Sequence, residues 1–136
     1  MPFVLDNSIA MAWCFEDEAT VVADRVLDHL AVDEALAPAV WPLELANAVL
    51  TGERRGRLQP ADAVRFLDLI RALPITVDDA SLDRSIGRIR ELASAQALSA
   101  YDASYLELAM REGVTLATQD ARLRAAATRV GVVLLD

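Results

Sequence analysis

Short apolar runs alternate along the chain with longer segments whose apolar residues recur at helical spacing. The short runs predict β-strands at residues 3–5, 35–37, 75–77, 114–117 and 132–135. The longer segments predict helices at about residues 9–15, 19–30, 42–51, 60–73, 100–112 and 119–127. One more helix is expected after Asp78 or Asp79, with a core face made of Leu82, Ile86, Ile89 and Leu92.

The predicted strands are separated by single helices or helix pairs, which is typical of an α/β fold. This order favours a mostly parallel central sheet flanked by helices on both faces. The 136 residues contain no internal repeat and no long linker, so we expect a single domain over residues 1–136. Binding sites in such sheets form at the carboxyl ends of the strands, which gives a positional test for each candidate residue.

Composition narrows the class of protein. Hydrophobic residues make up 54% of the chain, enough for a packed core, and the single cysteine, Cys14, excludes an internal disulfide and a cysteine-based zinc site. Cys14 lies in an apolar stretch, so we expect it to be a buried small hydrophobe. Because the chain has neither a signal-peptide pattern nor an apolar run of about 18 residues, we expect a cytoplasmic protein with no membrane segment.

The net charge of −8 at first argues against a nucleic-acid partner, because phosphate binders usually carry basic patches. A carboxylate cluster that binds metal ions would account for part of this charge. All 13 basic residues are arginine, and Arg54, Arg55 and Arg57 lie close together. These three are candidate contacts to the phosphate backbone of a nucleic acid, and the alternative is a solvated basic run at a helix end.

Two aspartates follow predicted strands. Asp6 comes directly after the first strand, and Asp120 comes shortly after the strand at 114–117. Both therefore belong at the carboxyl edge of the sheet, although an aspartate in this position also commonly caps the next helix.

Two further carboxylates begin helices. Glu44 lies in a first helical turn, where it offsets the helix dipole, and it shares one polar stripe with Asn47 and Thr51. That stripe can face either water or a polar pocket. Asp102 stands three residues after Ser99, as in a capping box, so both a capping role and a functional role are open for it.

Four carboxylates at strand ends and helix starts repel one another unless a positive group brings them together. The chain has one histidine, His29, and no lysine, so a metal ion is the expected positive element. All-oxygen ligands favour Mg²⁺, with Mn²⁺ as the alternative, over zinc. Folds with a phosphoryl-accepting aspartate also place it after the first strand, but they normally use a lysine beside it.

Four segments resemble, in order and spacing, the PIN-domain ribonucleases, and most closely the VapC-like toxins of type II (VapBC) toxin–antitoxin systems. The segments are residues 3–8 (FVLDNS), 42–48 (PLELANA), 101–109 (YDASYLELA) and 116–120 (LATQD). The resemblance spans essentially the whole chain and implies a PIN-like single domain. It implies an acidic, metal-binding catalytic quartet with supporting polar residues, namely Asp6, Glu44, Asp102 and Asp120 with Ser8, Asn47 and Thr118.

By this resemblance, the chain is expected to be a Mg²⁺-dependent endoribonuclease and toxin that hydrolyses RNA with a carboxylate-bound metal and an activated water. The resemblance also implies a homodimer and a cognate antitoxin that blocks the site. The apolar residues Ile9, Met11, Trp13 and Phe15 are either core residues or the lining of an antitoxin groove. Two alternatives stay open at this point: a housekeeping PIN-domain RNA-processing nuclease and a catalytically silent binding module.

Overall fold

The computed structural model describes residues 1–136 and contains one central sheet. The strands are β1 (Phe3–Leu5), β2 (Ala35–Ala37), β3 (Ile75–Val77) and β4 (Thr115–Ala117). Their order is β3-β2-β1-β4, and every pair is parallel. The register aligns Leu5 with Ala117, so β1 and β4 end side by side at the carboxyl edge of the sheet.

Helices connect the strands. They are α1 (Asn7–Cys14), α2 (Val21–His29), α3 (Trp41–Arg54), α4 (Pro60–Ala72), α5 (Leu82–Arg84), α6 (Arg90–Gln96), α7 (Ala100–Glu112) and α8 (Ala121–Val130). A 3₁₀ turn covers Glu16–Glu18, and a π-helical segment, Ser85–Ile89, joins α5 to α6. No helix has both the length and the apolar character needed to cross a membrane.

The core is built around β1. Phe3, Val4 and Leu5 are all buried, and successive residues of a strand point to opposite faces, so both faces of β1 are covered. Helix α7 packs against β1 and β4 and buries Leu106 and Leu108. The predicted α/β class with a parallel sheet is therefore confirmed.

The predicted fifth strand is wrong. Residues 132–135 form only one isolated parallel bridge, which joins Leu134 to Leu116 of β4. The chain runs beside β4 for a single pair of residues, so the apolar run there covers the edge of the sheet without extending it.

The helix expected after Asp78 or Asp79 is also corrected by the structure. Ser81 caps α5 by accepting a hydrogen bond from the Arg84 amide, and the predicted core residues Leu82 and Ile86 are 73% and 55% exposed. The π-helical segment has a wider turn than an α-helix, and it lies within the stretch whose α-helical spacing predicted this core face. A face deduced from 3.6-residue periodicity is therefore displaced in this region.

Candidate active site

Asp6 is the most enclosed of the four candidate carboxylates, with 5% of its surface exposed. It follows β1 and is the N-cap of α1. Its Oδ2 accepts hydrogen bonds from the Ser8 hydroxyl at 2.6 Å, the Ser8 amide at 3.3 Å and the Thr118 hydroxyl at 2.8 Å. Its Oδ1 accepts none and is not sealed from solvent, so one oxygen is free to bind a ligand.

Ser8 and Thr118 join the ends of β1 and β4 around this carboxylate. The Ser8 hydroxyl oxygen accepts a hydrogen bond from the Gln119 amide at 2.9 Å, and the Thr118 hydroxyl oxygen accepts one from the Asp120 amide at 3.0 Å. The structure therefore brings two of the three predicted supporting residues to Asp6. Asn47 is exposed on α3 and makes no hydrogen bond to any of the four carboxylates. A supporting role for Asn47 stays a prediction.

Glu44 is oriented by a residue that the sequence analysis missed. Tyr105 is completely buried on α7, and its hydroxyl donates a hydrogen bond to Glu44 Oε1 at 2.6 Å. Tyr105 lies three residues after Asp102, so it shares a helix face with another member of the quartet. That spacing, in a segment that is otherwise apolar, is the signal that would have identified it.

Asp102 and Asp120 lie at the starts of α7 and α8. The Ser99 hydroxyl accepts a hydrogen bond from the Asp102 amide at 3.0 Å, so Ser99 caps α7 as a capping box requires. The half-exposed Asp102 side chain does not make the reciprocal hydrogen bond to the Ser99 amide, so the capping role considered for Asp102 itself is absent. Asp120 is the N-cap of α8, and its Oδ1 accepts a hydrogen bond from the Leu123 amide at 2.9 Å.

The carboxylates lie within reach of one another's charge. Burial raises the pKa of Asp6, the hydrogen bonds from Ser8 and Thr118 oppose this rise, and the negative charge of Asp102 adds to it. Burial likewise raises the pKa of Glu44, which the Tyr105 hydrogen bond lowers and the charges of Asp6 and Asp102 raise.

The Asp102 carboxyl lies within range of the charge of Asp120. Burial is the largest cause of its raised pKa, and the negative charge of Asp120 raises this pKa further. The Ser99 hydroxyl and the Arg122 guanidinium oppose the rise in the pKa of Asp102. Arg122 is thus the cation that acts on the site, and no sequence motif singled it out.

The donor chemistry of these residues fits a hard divalent cation. Every charge that shifts the pKa of Asp6 or Glu44 is negative. The candidate ligand atoms are all carboxylate oxygens, and Asp6 Oδ1 accepts no hydrogen bond from the protein that would compete with a cation. In this arrangement no three of the acidic side chains already converge on a single point that would hold an ion. We therefore expect an ion to be held through bridging water or after rotation of the half-exposed Glu44 and Asp102 side chains.

The arginines of the basic run lie at the far end of α3. Arg54 and Arg55 are exposed there, ten or more residues and thus about 15 Å of helix beyond Glu44. Arg57 instead forms ion pairs with Asp17 and Glu18, at 3.0 Å each. Its guanidinium also lies 4.2 Å above the centre of the Phe15 ring, so this structure accounts for Arg57 without RNA.

Three of the four early apolar residues are core, while Trp13 and Phe15 also line a surface cavity, so the antitoxin groove stays a prediction. Ile9, Met11 and Phe15 are buried, and the half-buried Trp13 donates its indole hydrogen bond to the Ala23 carbonyl at 2.8 Å. Cys14 is half-buried beside them, and desolvation raises the pKa of its thiol to about 11, which keeps it unreactive at neutral pH.

Comparison with known proteins identifies the family. The model of the PIN domain matches residues 3–128, whereas no curated protein matches. Among solved structures, PAE2754 from Pyrobaculum aerophilum is similar with a TM-score of 0.71 and 25% identity, covering 99% of this chain and 92% of that one.

Two further solved structures share the fold. VapBC2 from Rickettsia felis, bound to a DNA fragment from its promoter, has a TM-score of 0.68 at 17% identity and covers 100% of this chain and 98% of that one. FitAcB from Neisseria gonorrhoeae has a TM-score of 0.62 at 17% identity, covering 98% and 96%. The family match over most of the chain, together with the parallel sheet and the carboxylates at its edge, shows that this chain belongs to the PIN-domain family.

Proposed function

We propose that the chain is a Mg²⁺-dependent endoribonuclease that acts as the toxin of a toxin–antitoxin pair. PIN domains are generally metal-dependent nucleases. The observation that supports the proposal most directly is Asp6, a buried carboxylate at a strand end with one oxygen free and only negative charges near it. A group in this state is costly in an unliganded protein and favourable beside a divalent cation.

Asp6, Glu44 and Asp102 would hold the metal, and Asp120 would complete the set from the start of α8. When bound, Mg²⁺ lowers the pKa of a coordinated water and offsets the charge that develops on the phosphate. Mn²⁺ has the same ligand preference and is expected to substitute.

The surrounding residues fix the orientation of the ligands. Ser8 and Thr118 hold Oδ2 of Asp6, which leaves Oδ1 for the cation. Tyr105 holds one oxygen of Glu44 and leaves the other for a ligand or a proton. Arg122, whose charge stabilises the ionised form of Asp102, is placed to attract a phosphate of the substrate.

The partners follow from the family and from the structural neighbours. Two of those neighbours, VapBC2 and FitAcB, are toxin–antitoxin complexes, which supports an antitoxin partner for this chain. We further propose an RNA substrate, a homodimer and a cytoplasmic location. The net charge of −8 agrees with the proposed antitoxin, if that partner covers the acidic site with basic side chains.

Cleavage-end mapping on total cellular RNA tests the proposal. The purified protein, free of any bound partner, is incubated with RNA in Mg²⁺, in Mn²⁺ and in chelator. Asp6→Asn is the test variant. Asp28→Asn, which removes one exposed carboxylate of α2 with no side-chain partner, is the matched control.

We expect cuts at discrete sites that need the metal, persist in Asp28→Asn and are absent in Asp6→Asn. Cutting that survives in chelator or in Asp6→Asn would point to a contaminant or to another chemistry. No cutting by the folded, metal-loaded wild type on any RNA would refute the nuclease assignment.

A further inference from the structure

A cavity of about 230 Å³ lies at the edge of the sheet where the candidate active site also lies. Pro38 and Ala39, which follow β2, and Asp78, which follows β3, line it. Because all the strands are parallel, these ends share the sheet edge at which Asp6 follows β1. Tyr101 of α7, the residue directly before Asp102, also lines the cavity and connects it to the candidate active site.

Most of the charged groups of the cavity are paired with one another. Glu107 is 1% exposed and accepts a hydrogen bond from Arg111 Nε at 2.9 Å. Asp78 Oδ2 accepts hydrogen bonds from Arg111 at 2.6 Å and Arg84 at 3.3 Å. Two guanidinium groups thus face these two carboxylates and leave hydrogen-bonding edges, while Asp79 on the same wall adds one further negative charge. The excess negative charge disfavours a phosphate, and the carboxylates paired with arginine are not free to hold a metal ion, so the lining suits a neutral polar ligand.

The remaining walls suit a flat ring. Ala39, Val40 and Ile89 provide apolar surface, while Tyr101 is 63% exposed at the rim. An aromatic ring that is exposed at the rim does not contribute to the core, and its face is open to stack against a planar ligand. An unpaired nucleobase has the matching shape, with an apolar face and polar edges.

We propose that this cavity binds one unpaired base of the RNA substrate, stacked on Tyr101 and hydrogen-bonded to the Arg84 network, next to the phosphodiester that is cleaved. The inference rests on the proposed nuclease function and adds to it a site that recognises one base of the substrate. It explains how a chain of charge −8 holds RNA, since stacking does not depend on phosphate contacts.

Two variants and two controls test the cavity. Tyr101→Ala removes the stacking ring, and Tyr101→Phe keeps it. Ser85→Trp fills the cavity from the wall formed by the π-helical segment, where Ser85 is half-buried. Val32→Ala shortens another exposed apolar side chain, in the turn before β2 at the opposite edge of the sheet.

The first measurement is binding of labelled single-stranded RNA hexamers, one for each base, by fluorescence anisotropy in chelator, where cleavage cannot occur. We expect one base to bind best. Tyr101→Ala is expected to weaken that binding by about fivefold or more, because this is the usual contribution of one stacked base. Tyr101→Phe and Val32→Ala are expected to bind like the wild type, and Ser85→Trp like Tyr101→Ala.

The second measurement is mapping of cleavage ends in Mg²⁺ by the same variants. Tyr101→Ala is expected to lower kcat/KM by the same factor and to relax the base preference at one position beside the cut. If the wild type does not cut, the proposed function fails, and the hexamer binding still decides the role of the cavity. If Tyr101→Ala and Ser85→Trp bind and cut like the wild type, or weaken only the association with a partner protein, the inference is wrong.

Discussion

Asp6→Asn is expected to stabilise the metal-free protein while abolishing its response to Mg²⁺. The wild-type carboxylate is 5% exposed, and the charge of Asp102 acts on it with no facing cation. Asparagine keeps an oxygen that can accept the hydrogen bonds from Ser8 and Thr118, and it is itself a good N-cap for α1. The substitution therefore removes the charge and keeps the local fold.

The size of the effect follows from two opposing contributions. Burying an unpaired ion costs several kcal/mol, and each hydrogen bond to a charged group returns roughly 1.5–3 kcal/mol. Three such bonds, one of them long at 3.3 Å, offset most of this cost, and the raised pKa of Asp6 shows that burial is still the larger contribution. We expect Asp6→Asn to raise the free energy of unfolding at pH 7 in chelator by an amount typical of a single substitution, on the order of 1 kcal/mol, or a few degrees in Tm.

The pH dependence identifies the cause. A carboxyl group whose pKa is raised by folding binds its proton more tightly in the folded chain, so its contribution to stability is present below pH 4 and lost as pH rises through the raised value. The stability gap between Asp6→Asn and the wild type is therefore expected to be small near pH 4 and to widen toward pH 7. Asp28→Asn should stay within about 0.5 kcal/mol of the wild type throughout.

Urea unfolding at a series of pH values, with and without Mg²⁺, measures all of these quantities. A ligand present at 100 times its Kd adds about 2.7 kcal/mol to the native state, so saturating Mg²⁺ should make the wild type the more stable protein. The reasoning is refuted if Asp6→Asn is less stable than the wild type in chelator at pH 7. It is equally refuted if the gap does not shrink as the pH falls.

Three further substitutions test other parts of the structure. Tyr105→Phe removes the hydrogen bond that lowers the pKa of Glu44, so the acid limb of the pH–rate profile for RNA cleavage should move to higher pH; an unchanged limb would contradict this. Gly52→Ala places a Cβ 2.7 Å from the ring of Phe15 and should cost about 1 kcal/mol in urea unfolding, despite the better helix propensity of alanine; a gain in stability would contradict this. Ser99→Ala removes the cap of α7 and should cost about 1 kcal/mol, whereas Ser99→Gly should cost only a few tenths in the same assay.

Much of the site could be predicted from the sequence because of where parallel strands end. The runs at 3–5 and 114–117 are short, apolar and followed by aspartates, and the register aligns their ends to the residue. Once those two strands are adjacent, Ser8 and Thr118 have to meet, and the structure shows both hydroxyl groups on Asp6. Local pattern is sufficient here because the strands are only three residues long.

Other features depend on contacts between distant parts of the chain. The hydrogen bond from Tyr105 to Glu44 links residues 61 positions apart, and a tyrosine in an apolar helix is normally expected to be core. The π-helical segment Ser85–Ile89 changes the helical period, and it contains no proline or glycine pair from which this change could be predicted. The ion pairs of Arg57 with Asp17 and Glu18 join two loops, so no single motif contains them.

The two interpretations of each strand-end aspartate, helix cap or metal ligand, turn out to describe the same geometry. Asp6 caps α1 through Oδ2 and leaves Oδ1 open, and Asp120 caps α8 through Oδ1 alone. A cap fixes the side-chain torsions of its residue, and at the carboxyl edge of a parallel sheet it fixes them where the neighbouring strands also end.

Capping is therefore the means by which these carboxylates are positioned, and substitutions separate the two roles by charge. Asp120→Asn should keep the cap of α8 and the Tm while lowering metal-dependent cleavage, whereas Asp120→Ala should lower both, with about 1 kcal/mol lost from stability. Equal losses of stability in the two variants would show that the charge of Asp120, and not its capping oxygen, holds the start of α8 in place.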